Sequence, residues 1–148
     1  MPVTAKELTM MHIQSPRTDD QAIEQMIKDK GADKAPRITP EDIEANIASE
    51  HYFTAAEGMI GMFVTEEQKA GRNRACEFTV DDLKDSLNLL TFCVLVLRNG
   101  FTVTGESACA SPENFDAEIG RRIARQNAVE KIWPLMGYEL KSQLTKEV

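Results

Sequence analysis

Chemically distinctive residues are scarce in this 148-residue chain. There are two histidines and three cysteines. Cys76, Cys93 and Cys109 form no C-x-x-C pair and have no histidine at ligand spacing, so the usual zinc and disulfide frameworks are excluded and a reducing cytoplasm is the expected setting. Gly100 and Gly105 fit neither G-x-x-x-x-G-K nor G-x-G-x-x-G, which removes the standard phosphate-binding loops. The longest apolar run, near Phe92 to Leu97, is far too short to cross a bilayer. Residues 1 to 20 carry Lys6, Glu7, Asp19 and Asp20 around no long apolar core, unlike a signal peptide. Basic charge is also short: 17 Lys and Arg against 24 Asp and Glu leave a net charge of -7. That balance opposes general nucleic-acid binding but leaves room for a local basic patch. No metal, cofactor or membrane is expected.

What is present is an ordinary globular composition, 42% hydrophobic and 28% charged, long enough to bury a core without staples. Residues 1–37 read as a flexible arm with one short amphipathic helix. Ala22, Ile23, Met26 and Ile27 form its stripe, acids lie at its start, lysines at its end, and Gly31 follows. So thin a stripe must dock on the domain or on a neighbouring chain. Residues 38–148 read as a single domain. It opens with "TPED", where Thr39 is placed to cap and Pro40 to begin a helix. Ile43, Ile47 and His51 share one stripe with Ala48, Tyr52 and Ala55 beside it, which predicts a helix from Pro40 to Ala56, weakened beyond by Gly58 and Gly61. "EEQKAGRNRACEF" reads as a surface loop, and "TVDDLKDSLNLL" as one short helix leading into a sheet.

The clearest element is "LTFCVLVLRNGFTVTGES". A continuous apolar run, Asn99-Gly100, and an alternating run predict a β-hairpin with a type I′ turn. That register sets Arg98 opposite Phe101, Val96 opposite Val103 and Cys93 opposite Glu106. The first strand is apolar on both faces and needs cover on both. A lone hairpin is marginal, so further strands, helices or another subunit must complete it, and a homo-oligomer is expected. "SPEN" repeats the "TPED" logic with Ser111 as cap. Phe115, Ile119, Ile123 and Trp133 form the expected core face of the following helix, which Pro134 should break or kink. Ala117, Ala124 and Ala128 make a second, small-residue stripe that suits either the core or an interface. The fold class is therefore α+β: a central hairpin covered by amphipathic helices.

Two candidate surfaces emerge. Arg121, Arg122 and Arg125 lie beside the core stripe around Glu118, either as a solvated face with local ion pairs or as a clamp for phosphate or carboxylate. His51, Tyr52 and Phe53 form an aromatic cluster, either packing at an edge or serving as a recognition surface. Glu106, Cys109 and His51 are the residues an enzyme would have to use, although nothing local activates the thiol.

"ITPEDIEANIASEHYFTAAEG" and the ordered succession "NGFTVTGES", "ENFDAEIG" and "IWPLMGY" resemble the small tailed-phage and prophage proteins grouped as the gene-product-forty-nine/gene-sixty-six family. The resemblance covers about Ile38 to Ala56 and Leu90 to Leu140. It implies a phage origin and transfers no activity and no site residues. The expectation is an accessory protein that binds without catalysis in the infected host cytoplasm, to a host or defence protein or to an anionic small molecule. The alternatives are a small enzyme acting on a nucleotide or peptide, and an acidic mimic of nucleic acid.

Overall fold

The computed structural model describes residues 20–71 and 85–147, so the expected arm over residues 1–18, Cys76 and most of the middle loop lie outside the described residues. The described elements are α1 (Asp20–Asp29), α2 (Pro40–Asn46), β1 (Ile47–Thr54), α3 (Ala55–Lys69), α4 (Asp85–Asn88), β2 (Leu90–Leu97), β3 (Thr102–Ala108), a 3-10 turn at Pro112–Asn114, and α5 (Ala117–Lys146). The three strands form one antiparallel sheet in the order β1-β2-β3. The chain is α+β.

The helix expected over Pro40 to Ala56 is instead a helix, a strand and the start of a second helix. Thr39 caps α2 as anticipated, its hydroxyl accepting from the Asp42 N–H while the Asp42 carboxylate accepts from the Thr39 N–H. The helix stops at Asn46, whose carbonyl accepts from the Arg98 N–H at 2.9 Å. That carbonyl is held by the hairpin, and the Ile, Tyr, Phe and Thr that follow suit a pleated strand, so Ile47–Thr54 pairs with β2. Thr54 and Glu57 then form a second reciprocal capping box and start α3. Gly58 and Gly61 are thus inside a helix.

The hairpin exists, but its register is one residue away from the predicted one. Leu95 faces Val103, Cys93 faces Gly105, and Phe92 faces Glu106. Gly100 N–H donates to the Leu97 carbonyl and Leu97 N–H to the Phe101 carbonyl, so the loop has three residues, ending at Gly100 with φ +86°. This is a turn followed by a left-handed glycine, which competes with the two-residue type I′ solution. Asn99 Oδ1 accepts from the Phe101 N–H at 2.9 Å and steadies that choice.

On one face of β2, Thr91, Cys93, Leu95 and Leu97 are buried beneath α5. Opposite them Phe92, Val94 and Val96 are half-buried, with Phe53 stacked on Phe92 at 5.5 Å and Gly58 of α3 against the Phe53 ring. The residues of α5 that meet the sheet are Gly120, Ala124, Ala128 and Ile132, all buried. Phe115, Ile119, Ile123 and Trp133, the expected core face, are half-buried flanks. The reason is Gly105: a Cβ there would lie 2.0 Å from the Ala124 carbonyl oxygen and 2.4 Å from the Ala128 nitrogen. Backbone meets backbone at that point, so only the small stripe can face it. Of the expected stripe, Ala124 and Ala128 are core within the chain, whereas Ala117 is exposed.

Asp116, not Ser111, caps α5, accepting from the Ile119 N–H at 3.0 Å. Ser111 makes no capping bond. Pro134 is exposed and the helix continues past it to Lys146. α1 is tethered through Glu24, whose side chain is 10% exposed and forms a two-point ion pair with Arg37. Ile23 and Met26 of α1 remain exposed.

Candidate functional site

The three arginines do not share one environment. Arg125 is committed: Nη1 and Nη2 donate to Glu44 at 3.1 and 2.7 Å, and Nε donates to Glu50 at 2.9 Å. Its guanidinium ties α5 to α2 and β1. These bonds raise the Arg125 pKa, while Arg125 holds the Glu44 carboxyl below its ordinary value. Arg121 and Arg122 are exposed. Among the described residues no ion pair joins either of them to Glu118, although helical spacing allows one.

His51, Tyr52 and Phe53 lie on a strand, so their side chains alternate across the sheet. Tyr52 is on the α5 side beside buried Cys93. Burial, with Cys93 and Glu50 nearby, pushes the Tyr52 hydroxyl up to about 12, and burial also raises the Cys93 thiol. Tyr52 is therefore a hydrogen-bond donor across the physiological range. His51 and Phe53 are on the other side, with His51 Nε2 3.0 Å from Ser49 Oγ.

The fold nevertheless joins part of each candidate surface in one place. A cavity of about 500 Å³ opens where the end of β1, the 3-10 turn and the first turns of α5 meet. Tyr52 and Phe115 supply aromatic wall, Phe53 borders the cavity from the far face of β1 with its ring on Phe92, and Arg121, Glu57 and Asn88 supply polar groups. The Glu57 carboxylate is already engaged with the Thr54 N–H at 2.8 Å, which leaves the exposed Arg121 guanidinium as the cation at the mouth. Phe115 is placed there by the 3-10 turn, whose Pro112 carbonyl accepts from its N–H at 3.2 Å. Arg122 and Arg125 do not line this cavity.

A second cavity, about 420 Å³, lies between α2 and the C-terminal half of α5 beside Ile38, Met136 and Leu140. Its cation, Arg98, donates through Nε to the Ala45 carbonyl, and its Asp42 is spent in the α2 capping box. The first cavity is the better-equipped site.

The residues an enzyme reading requires are not brought together. Glu106 is exposed and opposite Phe92, while His51 is opposite Val94. The Cys109 thiol donates to the Ser111 carbonyl at 3.2 Å. Among the described residues no hydrogen bond joins any two of the three, and no cluster of three or more His, Cys, Asp or Glu could hold a metal ion. No described helix is long and apolar enough to cross a membrane.

The sequence signal for this site is local. Thr54-x-x-Glu57 is a capping box that ends β1 beside the cavity, and Asp116 is the cap that separates Phe115 from the helix. Comparison with family models finds one that matches residues 38–144, that of the Phage protein (N4 Gp49/phage Sf6 gene 66) family. Comparison with curated proteins and with solved structures finds no match.

Proposed function

The chain belongs to this phage protein family, and on that premise we infer that it is an accessory protein of infection that acts by binding, not catalysis, and that its ligand is an anionic group carried on a planar or apolar body. One observation carries this reading: the exposed Arg121 borders a cavity walled by the aromatic residues Tyr52 and Phe115. Aromatic walls with a few placed polar groups are what small-molecule sites use. A guanidinium fork matches carboxylate and phosphate geometry. Tyr52, protonated at neutral pH with its hydroxyl directed to Glu50 and Cys93, offers an uncharged aromatic surface beside the anion. The setting is the infected host cell, where a binding protein can withhold a small ligand or hold an acidic side chain of a host protein.

Native mass spectrometry of the full chain purified from a bacterial lysate tests the reading. A retained small molecule should persist in Arg122→Ala and vanish in Arg121→Ala, with both variants folded by circular dichroism. Equal retention in the two variants, or no retained mass in the wild type, would overturn it.

A further inference from the structure

Among the described residues the sheet has two edges with no strand beyond them, and the molecule treats them differently. Leu97 N–H donates to the Phe101 carbonyl, which makes that pair a mutually bonded one in the β2–β3 ladder. Such pairs alternate along an antiparallel ladder. The backbone groups of Cys93 and Leu95 therefore point at β3, and those of Phe92, Val94 and Val96 point at β1. Thr104 and Glu106, opposite Val94 and Phe92, turn their backbone groups outward. Two of the outward carbonyls in the middle of β3 are occupied: Lys131 Nζ donates to Thr104, and Asn127 Nδ2 donates to Glu106 at 2.7 Å. α5 thus covers the middle of the β3 edge with its own side chains.

Among the described residues the β1 edge has no such protection. By the same alternation Ser49, His51 and Phe53 bond to β2, while Glu50 and Tyr52 turn their N–H and C=O groups outward. The Thr54 N–H, next in that row, is taken by Glu57. No described residue bonds the backbone groups of Glu50 or Tyr52. An exposed strand edge of this kind is a template for another strand.

We propose that β1 pairs antiparallel with β1 of a second copy, about a two-fold axis through His51, to form a homodimer with a continuous six-stranded sheet. The register follows from charge and from the backbone. Centring the pair on Glu50 sets two carboxylates opposite each other, which is repulsive. Centring it on Tyr52 sets Glu50 against the partner's Thr54, whose amide is already used. Centring it on His51 pairs Glu50 with the partner's Tyr52 and Tyr52 with the partner's Glu50, so the outward groups of both residues are satisfied reciprocally. The interface is isologous and closes at two chains, because the β3 edges left at either end are covered at their middle by Lys131 and Asn127. The axis is normal to the sheet, so the two α5 helices lie on the same face with the β1 pair between them.

Cysteine cross-linking of the full chain tests the register. In a Cys76→Ser, Cys109→Ser background, His51→Cys should give a disulfide-linked dimer under mild oxidation, because a non-bonded antiparallel pair brings Cα atoms to about 4.5 Å, within disulfide reach. Ser49→Cys, displaced from the axis, should give at least tenfold less. Without any substitution, amide exchange at Glu50 and Tyr52 should slow as protein concentration rises, while that at Thr104 and Glu106 stays constant. A strictly monomeric mass by light scattering at several hundred micromolar overturns the proposal. So does a dimer that cross-links better through position 49 than 51, or one that leaves the Glu50 and Tyr52 amides unprotected.

Discussion

The middle and the beginning of α5 meet the sheet in opposite ways. At Ala124 and Ala128 the helix backbone rests against Gly105 so closely that no side-chain carbon fits between them. Just before, at Ala117 and Arg121, the same helix forms one wall of an open cavity beside Tyr52 and Phe115. The difference teaches where this protein can change. A contact between two backbones fixes both and tolerates no added volume, whereas a cavity mouth carries side chains that do not hold the fold together.

The largest effect should come from adding volume at the contact. Gly105→Ala is expected to lower stability by about 3 kcal/mol or more, because the helix has to be displaced for one methyl group; an unchanged urea midpoint would show that α5 does not rest on Gly105. Gly100→Val should follow, at about 1 to 3 kcal/mol, since a β-branched residue resists the φ of +86° that the three-residue loop requires. That loss should appear in urea titration with the m-value unchanged.

Arg125 lies between the two regions, and a smaller loss is expected there. Arg125→Ala should cost about 1 kcal/mol at pH 7, since its bonds to Glu44 and Glu50 are only partly shielded from solvent. The pH dependence gives the sign. Arg125 lowers the folded pKa of Glu44, so the stabilisation is fully present above the unfolded value, about 4.3, and is lost as pH falls through the folded pKa. The stability gap between wild type and Arg125→Ala should therefore narrow below about pH 4. A gap that stayed constant would remove the ion pair as its cause. Smallest of all, Arg121→Ala should shift the urea midpoint by about 0.5 kcal/mol or less, as befits an exposed side chain at a cavity mouth. A loss comparable to that of Arg125→Ala would make Arg121 structural and blur the distinction between the two arginines.

The two arginines also mark the limit of helical-wheel reasoning. Arg121 and Arg125 are one helical turn apart, and their spacing from Glu118 suggests the same local pairing for Arg121 and Arg122. Nothing in that spacing shows that Glu44 and Glu50, 81 and 75 residues away, take Arg125. The aromatic trio was legible as residues, but not as geometry. His51 fits one helical stripe with Ile43 and Ile47, and Tyr52 the stripe beside it with Ala48 and Ala55, but pairing with β2 decided for the strand.

By itself the sequence determined the α+β class, the hairpin around Asn99-Gly100, the Thr39 cap and the small-residue stripe of α5, because each depends on neighbours within a few positions. The tertiary structure decided the one-residue register, which of two α5 stripes is core, and which arginine faces the cavity. Those outcomes depend on which groups compete for the same space or the same carboxylate once distant segments meet. Gly105 makes the physical reason plain: it reads as one more glycine in a strand until Ala124 arrives against it, and only then does its missing side chain set the distance at which the helix and sheet pack.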